Sequence, residues 1–180
     1  MRLVGILIMA ASLTGVGFVL AERGKERLAF LLRLRQMVYY LKSQILYSNA
    51  TLPEAVFEVG IHFRTSEKGW ENGWEPASFF LNVSKKLDEK GNQPFSDIWQ
   101  AEVNKIPSEV SLTKSDRQNL GELGRNLGYA DRNMQERTLL FYLEQLDETT
   151  ERVKAEAESL GKLYRTLGVA AGMFWFVLLI

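Results

Sequence analysis

Both ends of this chain are apolar, and one charged stretch lies between them. Residues 1–21 hold a single charge, Arg2, and residues 166–180 hold none. The other 43 of the 44 charged side chains fall in residues 22–165. Leu3 to Ala21, LVGILIMAASLTGVGFVLA, is 19 uncharged residues, about 28 Å as a helix and close to the hydrocarbon thickness of a bilayer. Val19 and Ala21 would suit a signal-peptide cleavage site. An uncleaved anchor fits better, because the apolar run exceeds a typical signal core and Arg23, Lys25 and Arg27 follow at once. Thr166 to Ile180, TLGVAAGMFWFVLLI, has 15 residues, about 22 Å as a helix, so a buried core helix is the alternative. It runs to the last residue and is apolar on every face, which suits lipid better than a one-sided core contact. Tyr164, Lys162 and Arg165 stand where they would reach the headgroups.

Charge asymmetry sets the expected orientation. Arg23, Lys25, Arg27, Arg33 and Arg35 follow the first apolar run, and Lys162 and Arg165 precede the second. Basic residues stay on the cytoplasmic side. The expectation is therefore a membrane span in 1–21, a cytoplasmic domain in 22–165, a second span in 166–180, and both termini outside. Gly168 and Gly172 have the spacing that lets two membrane helices approach, and Ala11 and Gly15 offer a similar surface.

The middle reads as helix throughout, so the fold class is all-α: a bundle of about six helices flanked by the two spans. Leu31, Leu34, Val38, Leu41 and Ile45 recur at alternating spacings of three and four, which predicts a helix from about Lys25 to Ser48 that can continue the first span through Gly24. Thr51, Pro53 and Glu54 form a helix start, and the helix they open holds Val56, Val59, Ile61 and Phe63. Further helices are predicted at 76–90, stopped by Gly91, and at about 94–106, stopped before Pro107. Thr113 would cap the next, from Lys114 to Leu127. Gly128 is expected to close it in the left-handed conformation, and Asp131 to cap the last helix. In that helix Leu139, Leu143, Leu146, Thr150, Val153, Ala157, Leu160, Tyr164 and Leu167 keep heptad spacing to the membrane. A bundle seam is the plainer reading of this stripe, and a dimeric coiled coil the other.

Chemistry is scarce. With no cysteine and one histidine, His62, disulfides, thiolate zinc sites, cysteine nucleophiles and multi-histidine metal sites are excluded. Twenty-two basic and 22 acidic residues cancel, which excludes a strongly basic nucleic-acid binder. The segment Gly121–Gly128, GELGRNLG, superficially looks like a phosphate loop, but it lies in a helical pattern and follows no strand. No catalytic residue, metal ligand, cofactor or small-molecule substrate is nominated. Trp70 and Trp74 fall in a loop, where core or lid packing is favoured over an exposed partner contact.

One set of short motifs runs the length of the chain. Its parts are Leu41, Ile45 and Tyr47; Leu52-Pro53-Glu54-Ala55; Leu127-Gly128 with Asp131 and Gln135; Lys162-Leu163-Tyr164-Arg165; Leu167-Gly168-Val169 with Gly172; and Leu178-Leu179-Ile180. In order and spacing it resembles the stage III sporulation protein AB family of endospore-forming bacteria. Lys25-Glu26-Arg27 and Gln44 depart from the family's arginine-proline pair and glutamate. The resemblance implies a part of the channel in the mother-cell membrane facing the forespore. It also implies a cytoplasmic domain like that of the type II secretion platform protein, the F component. The implied partners are a secretion-type ATPase, stage III sporulation protein AA, and other channel components. A helical membrane-anchored adaptor or regulator unrelated to secretion is the alternative function.

Overall fold

A computed structural model describes the backbone of residues 2–179 except 49, 65–73, 90–92 and 130, and side chains within 22–159, with 129 also excepted. Six helices follow one another, with no strand among the described residues. They are α1 (Arg2–Tyr47), α2 (Leu52–His62), α3 (Pro76–Glu89), α4 (Phe95–Asn104), α5 (Lys114–Tyr129) and α6 (Arg132–Leu179). Each packs on the next, and α6 closes the ring by packing along α1.

The core follows from the stripes. From α1 come Phe30, Leu31, Leu34, Met37, Val38, Leu41 and Ile45, and from α6 Leu139, Tyr142, Leu143, Leu146 and Val153. The shorter helices add Val56, Val59, Phe80, Val83, Trp99, Leu120, Leu123 and Leu127. The heptad stripe of α6 is thus spent on the bundle, with Thr150 buried in line with it. From Leu139 to Val153 none of it is left for a coiled-coil dimer; Ala157, the next member, is half-buried. In α2, Val56 and Val59 are buried, whereas Ile61 is exposed and Phe63 lies beyond the helix end.

Helix ends carry local hydrogen bonds that satisfy orphan backbone groups. The Thr51 N–H and hydroxyl both donate to Glu54 Oε2 at 2.8 Å, a capping-box arrangement. Asp131 Oδ1 accepts the Met134 N–H at 2.8 Å. Arg132 donates to the Ile45 and Leu46 carbonyls at 2.9 and 2.7 Å, placing a cation on the C-terminal end of α1.

Gly128 corrects the sequence reading. It is not a left-handed terminator: α5 continues through it to Tyr129. A Cβ there would sit 3.2 Å from the Ser96 N and 3.3 Å from Phe95 Cδ1. The glycine is needed for close approach to the start of α4, not for its φ. Gly121, Gly124 and Gly128 line one helix face, against Gln100, Trp99 and Phe95 in turn. GELGRNLG is a packing seam. Its tightest point is Gly124, where a Cβ would overlap the Trp99 indole. That ring is fully buried, and its Nε1–H donates to the Leu120 carbonyl at 2.7 Å.

Gly124→Ala therefore should lower stability by about 1–3 kcal/mol, the cost of overpacking a filled core. Gly121→Ala meets only the end of the Gln100 side chain, which can move, and the gain in helix propensity of up to about 1 kcal/mol makes it neutral or stabilising. Thermal melts of the two variants check this order. Equal melting temperatures would contradict the seam.

Candidate membrane-proximal interface

The residues expected to mark the membrane boundary lie where α1 leaves its apolar segment. Arg23 is exposed, and Lys25 is exposed and pairs with Glu22 at 3.3 Å. Arg27 turns inward instead. Its Nε and Nη2 donate to the two oxygens of Asp116 at 2.9 and 3.0 Å, a side-on pair of hydrogen bonds. Asp116 is buried at the start of α5 and has a second task there. It accepts the Thr113 N–H at 2.9 Å, while its own N–H donates to Thr113 Oγ1 at 3.1 Å. The carboxylate that caps α5 is the one that anchors α1. Thr113 is the cap the sequence predicts, but the pairing of Arg27 with Asp116 spans 89 residues and has no local signal. The Thr113-x-x-Asp116 pattern was the available clue that the aspartate is fixed.

One further bond ties the same loop to α1: the Ser111 hydroxyl donates to Glu26 Oε2 at 2.7 Å. Arg117 holds the loop from below by donating to the Ile106 and Pro107 carbonyls, both at 2.7 Å. Between α1 and residues 108–113 an open cleft of about 760 Å³ remains, lined by Glu22, Arg23, Glu26, Arg27 and the loop. About two turns farther along α1, Arg35 pairs side-on with Asp147 of α6.

Burial acts to raise the Asp116 carboxyl. The hydrogen bonds from Arg27 and Thr113 outweigh it, and the group is held below the usual carboxylate range. Burial also pushes the Tyr142 phenol upward, with the Asp116 charge adding to the effect.

The remaining predicted residues separate. Trp74 is half-buried, its ring stacked on Phe30 at 5.9 Å, so it packs toward the core. Trp70 lies outside the described residues, as do the side chains of Lys162, Arg165, Gly168 and Gly172. The expected spans in 1–21 and 166–180 also lie outside the described side chains. Among the described residues no helix is long and apolar enough to cross a membrane. His62 is exposed and stacks on Tyr40 at 4.2 Å. Among the described residues no cluster of His, Asp or Glu could hold a metal ion.

Comparison with known proteins decides the family. The family model described as stage III sporulation protein AB matches residues 2–180. The chain belongs to the stage III sporulation protein AB family. The protein of that name from Bacillus subtilis (strain 168) is 26% identical over 182 residues, covering 99% of each chain. A solved structure of stage III sporulation protein AB superposes with a TM-score of 0.62 at 22% identity, covering 74% of this chain and 97% of that one. The family places the chain in sporulation.

The Arg27–Asp116 pair generates a pH prediction. A carboxyl held below its unfolded pKa of about 3.9 contributes stability that is fully present above that value and is lost as pH falls through the lower folded value. Acid titration of the melting temperature should show this loss, and Asp116→Asn should flatten the acid limb. Arg27→Met should cost about 3 kcal/mol at neutral pH by leaving the buried carboxylate without its cation. A neutral-pH melt unchanged by Arg27→Met would show that the pair carries no weight.

Proposed function

We propose that this chain is a non-enzymatic platform component of a mother-cell membrane complex required for endospore formation. It holds a helical domain against the cytoplasmic face and presents it to a secretion-type ATPase. The observation that carries this reading is the continuity of α1 and α6. The two helices that supply the long seam of the core run on, without a break, into the uncharged segments at both ends. Their apolar stretches act as the membrane anchor, through 1–21 and 166–180, with both termini on the face of that membrane away from the cytoplasm. Gly168 and Gly172 would let the two anchors pack. Exposed Arg23 and Lys25, with Lys162 and Arg165, supply the cytoplasmic charge. Arg27 contributes less to that charge, because Asp116 neutralises it.

Binding is the function, with other channel components as neighbours. Family resemblance supports stage III sporulation protein AA as the ATPase partner. Confinement near one membrane raises the domain's effective concentration for partners in the same assembly, so weak contacts suffice. Half-buried Trp74 stacks on Phe30, which supports a packing role for it over a partner contact.

Topology is tested by single cysteines, placed at position 1, after Ile180, or at Glu89, in the chain expressed in the cell membrane of non-sporulating cells and labelled from outside with an impermeant reagent. Labelling at the termini and not at 89 is expected. The reverse pattern would overturn the orientation. The partner is tested by co-purification of the detergent-solubilised full-length protein with stage III sporulation protein AA. Retention of the ATPase is expected. Its absence would leave the membrane-anchored adaptor unrelated to secretion as the better reading.

A further inference from the structure

Among the described residues the outward face of α6 is unpartnered, and it has a composition of its own. Met134, Arg137, Phe141, Glu144, Glu148, Glu151, Ala155 and Glu158 recur at spacings of three and four, so they form one straight stripe. All eight are exposed, and the stripe lies opposite the buried seam of Leu139, Leu143, Leu146 and Val153. It is about 36 Å long. Its upper end carries the apolar side chains, on either side of Arg137: Met134 is 52% exposed, Phe141 61%, and adjacent Leu140 46%. Its lower part, toward the C-terminal apolar segment, is acidic.

The glutamates are not used by the bundle. Among the described residues none of Glu144, Glu148, Glu151 and Glu158 has an ion-pair partner, although Arg152 and Lys154 flank the stripe. By contrast Asp147, one position away, is bound to Arg35. Like charges three and four residues apart destabilise a helix, so a stripe of this kind costs stability and gains it back only against opposite charge.

We propose that this face of α6 docks a basic amphipathic helix of a partner protein, the cytoplasmic extension of that partner's own membrane helix. The proposal rests on the membrane anchoring put forward above. Basic residues concentrate within about 15–20 residues of where membrane helices enter the cytoplasm, a reach that takes in Glu158 to Glu148 above Lys162 and Arg165 if α6 enters the bilayer at 166. The partner's lysines and arginines meet the glutamates there, and its apolar side chains meet Leu140 and Phe141 farther from the membrane. A second copy does not fit. Two copies anchored in one membrane run α6 in the same direction, and a symmetric contact sets each glutamate level with its equivalent. An anionic lipid surface is repelled for the same reason.

The test uses the full chain in phosphatidylcholine nanodiscs, where incorporation into the disc reports anchoring independently of docking. The probe is a synthetic helix of about 36 Å with leucine at heptad positions a and d and lysine at e and g. Binding is read by fluorescence anisotropy. The wild type should bind it, and more weakly at higher salt. Glu148→Lys with Glu151→Lys should weaken binding about tenfold or more, since two attractions become repulsions. Phe141→Ser should weaken it with charge unchanged. Glu58→Lys with Asp88→Lys, exposed on α2 and α3, should leave it unaltered. The proposal falls if the wild type does not bind. It also falls if the α2–α3 pair of changes weakens binding as much, or if a lysine helix without leucines binds as tightly. Melting curves of every variant confirm that the fold is kept.

Discussion

Everything in this bundle is referred to the antiparallel contact of α1 with α6. The two helices meet along a single seam, Leu31 to Ile45 against Leu139 to Val153, and they are by far the longest elements. The seam is apolar, and its edges carry the charged contacts. Arg35 with Asp147 sits on one side, and Arg132 on the carbonyls of Ile45 and Leu46 closes one end. The four short helices α2 to α5 fill the space beside this pair, each held by its neighbours in the ring. Burying the stripes supplies the driving force, at roughly 25 cal/mol for each Å² of apolar surface removed from water. The arginine contacts fix the register in which the stripes meet.

The polar ties cluster at two heights. Near the end where α1 leaves its apolar segment, Arg27 and Glu26 bind the α4–α5 loop through Asp116 and Ser111. At the far end, Arg132 and Gln135 satisfy the last carbonyls of α1 and α5, the latter through Leu127 at 3.1 Å. Between them the core is apolar apart from groups that find partners. No buried side-chain polar atom is left unsatisfied among the described residues, which is the condition for a single packing arrangement.

What was legible in the sequence follows from period and local chemistry. The stripe on α1, the heptads of α6 as far as Val153, the starts at Thr51, Thr113 and Asp131, and the stop before Pro107 are all short-range signals, and the helices lie where those signals put them. The failures are long-range. Gly128 read as a terminator because a glycine before a turn usually is one. Only contact with Phe95 and Ser96 shows that it serves close packing. The same holds for Gly124, whose partner Trp99 lies in another helix. Arg27 read as one more basic residue after an apolar run. Its partner Asp116 is in a different part of the chain, and no local rule connects them. The outward stripe of α6 was legible as polar, but its lack of ion-pair partners became visible only once Asp147 was seen to be occupied and its neighbours were not.

Unbroken α1 and α6 bear on how the domain can respond to the complex around it. A hinge needs residues that absorb a change in φ and ψ, and the obvious place for one is the junction of apolar segment and domain, at Gly24. Yet α1 is helical through Gly24, and Arg27, less than one turn later, is fixed to α5 by two hydrogen bonds. Glu26 is fixed as well. A tilt of the first apolar segment therefore carries the Asp116 cap and the loop 107–113 with it. On the α6 side the seam reaches Val153, and beyond it the helix runs on with exposed residues on most faces. The stretch from Lys154 to Ser159 is then the softer of the two connections. Motion between the C-terminal apolar segment and the domain, where it occurs, is concentrated there, on the same segment that carries the lower glutamates of the outward stripe. A partner helix laid along Glu148 to Glu158 would stiffen that stretch as it binds.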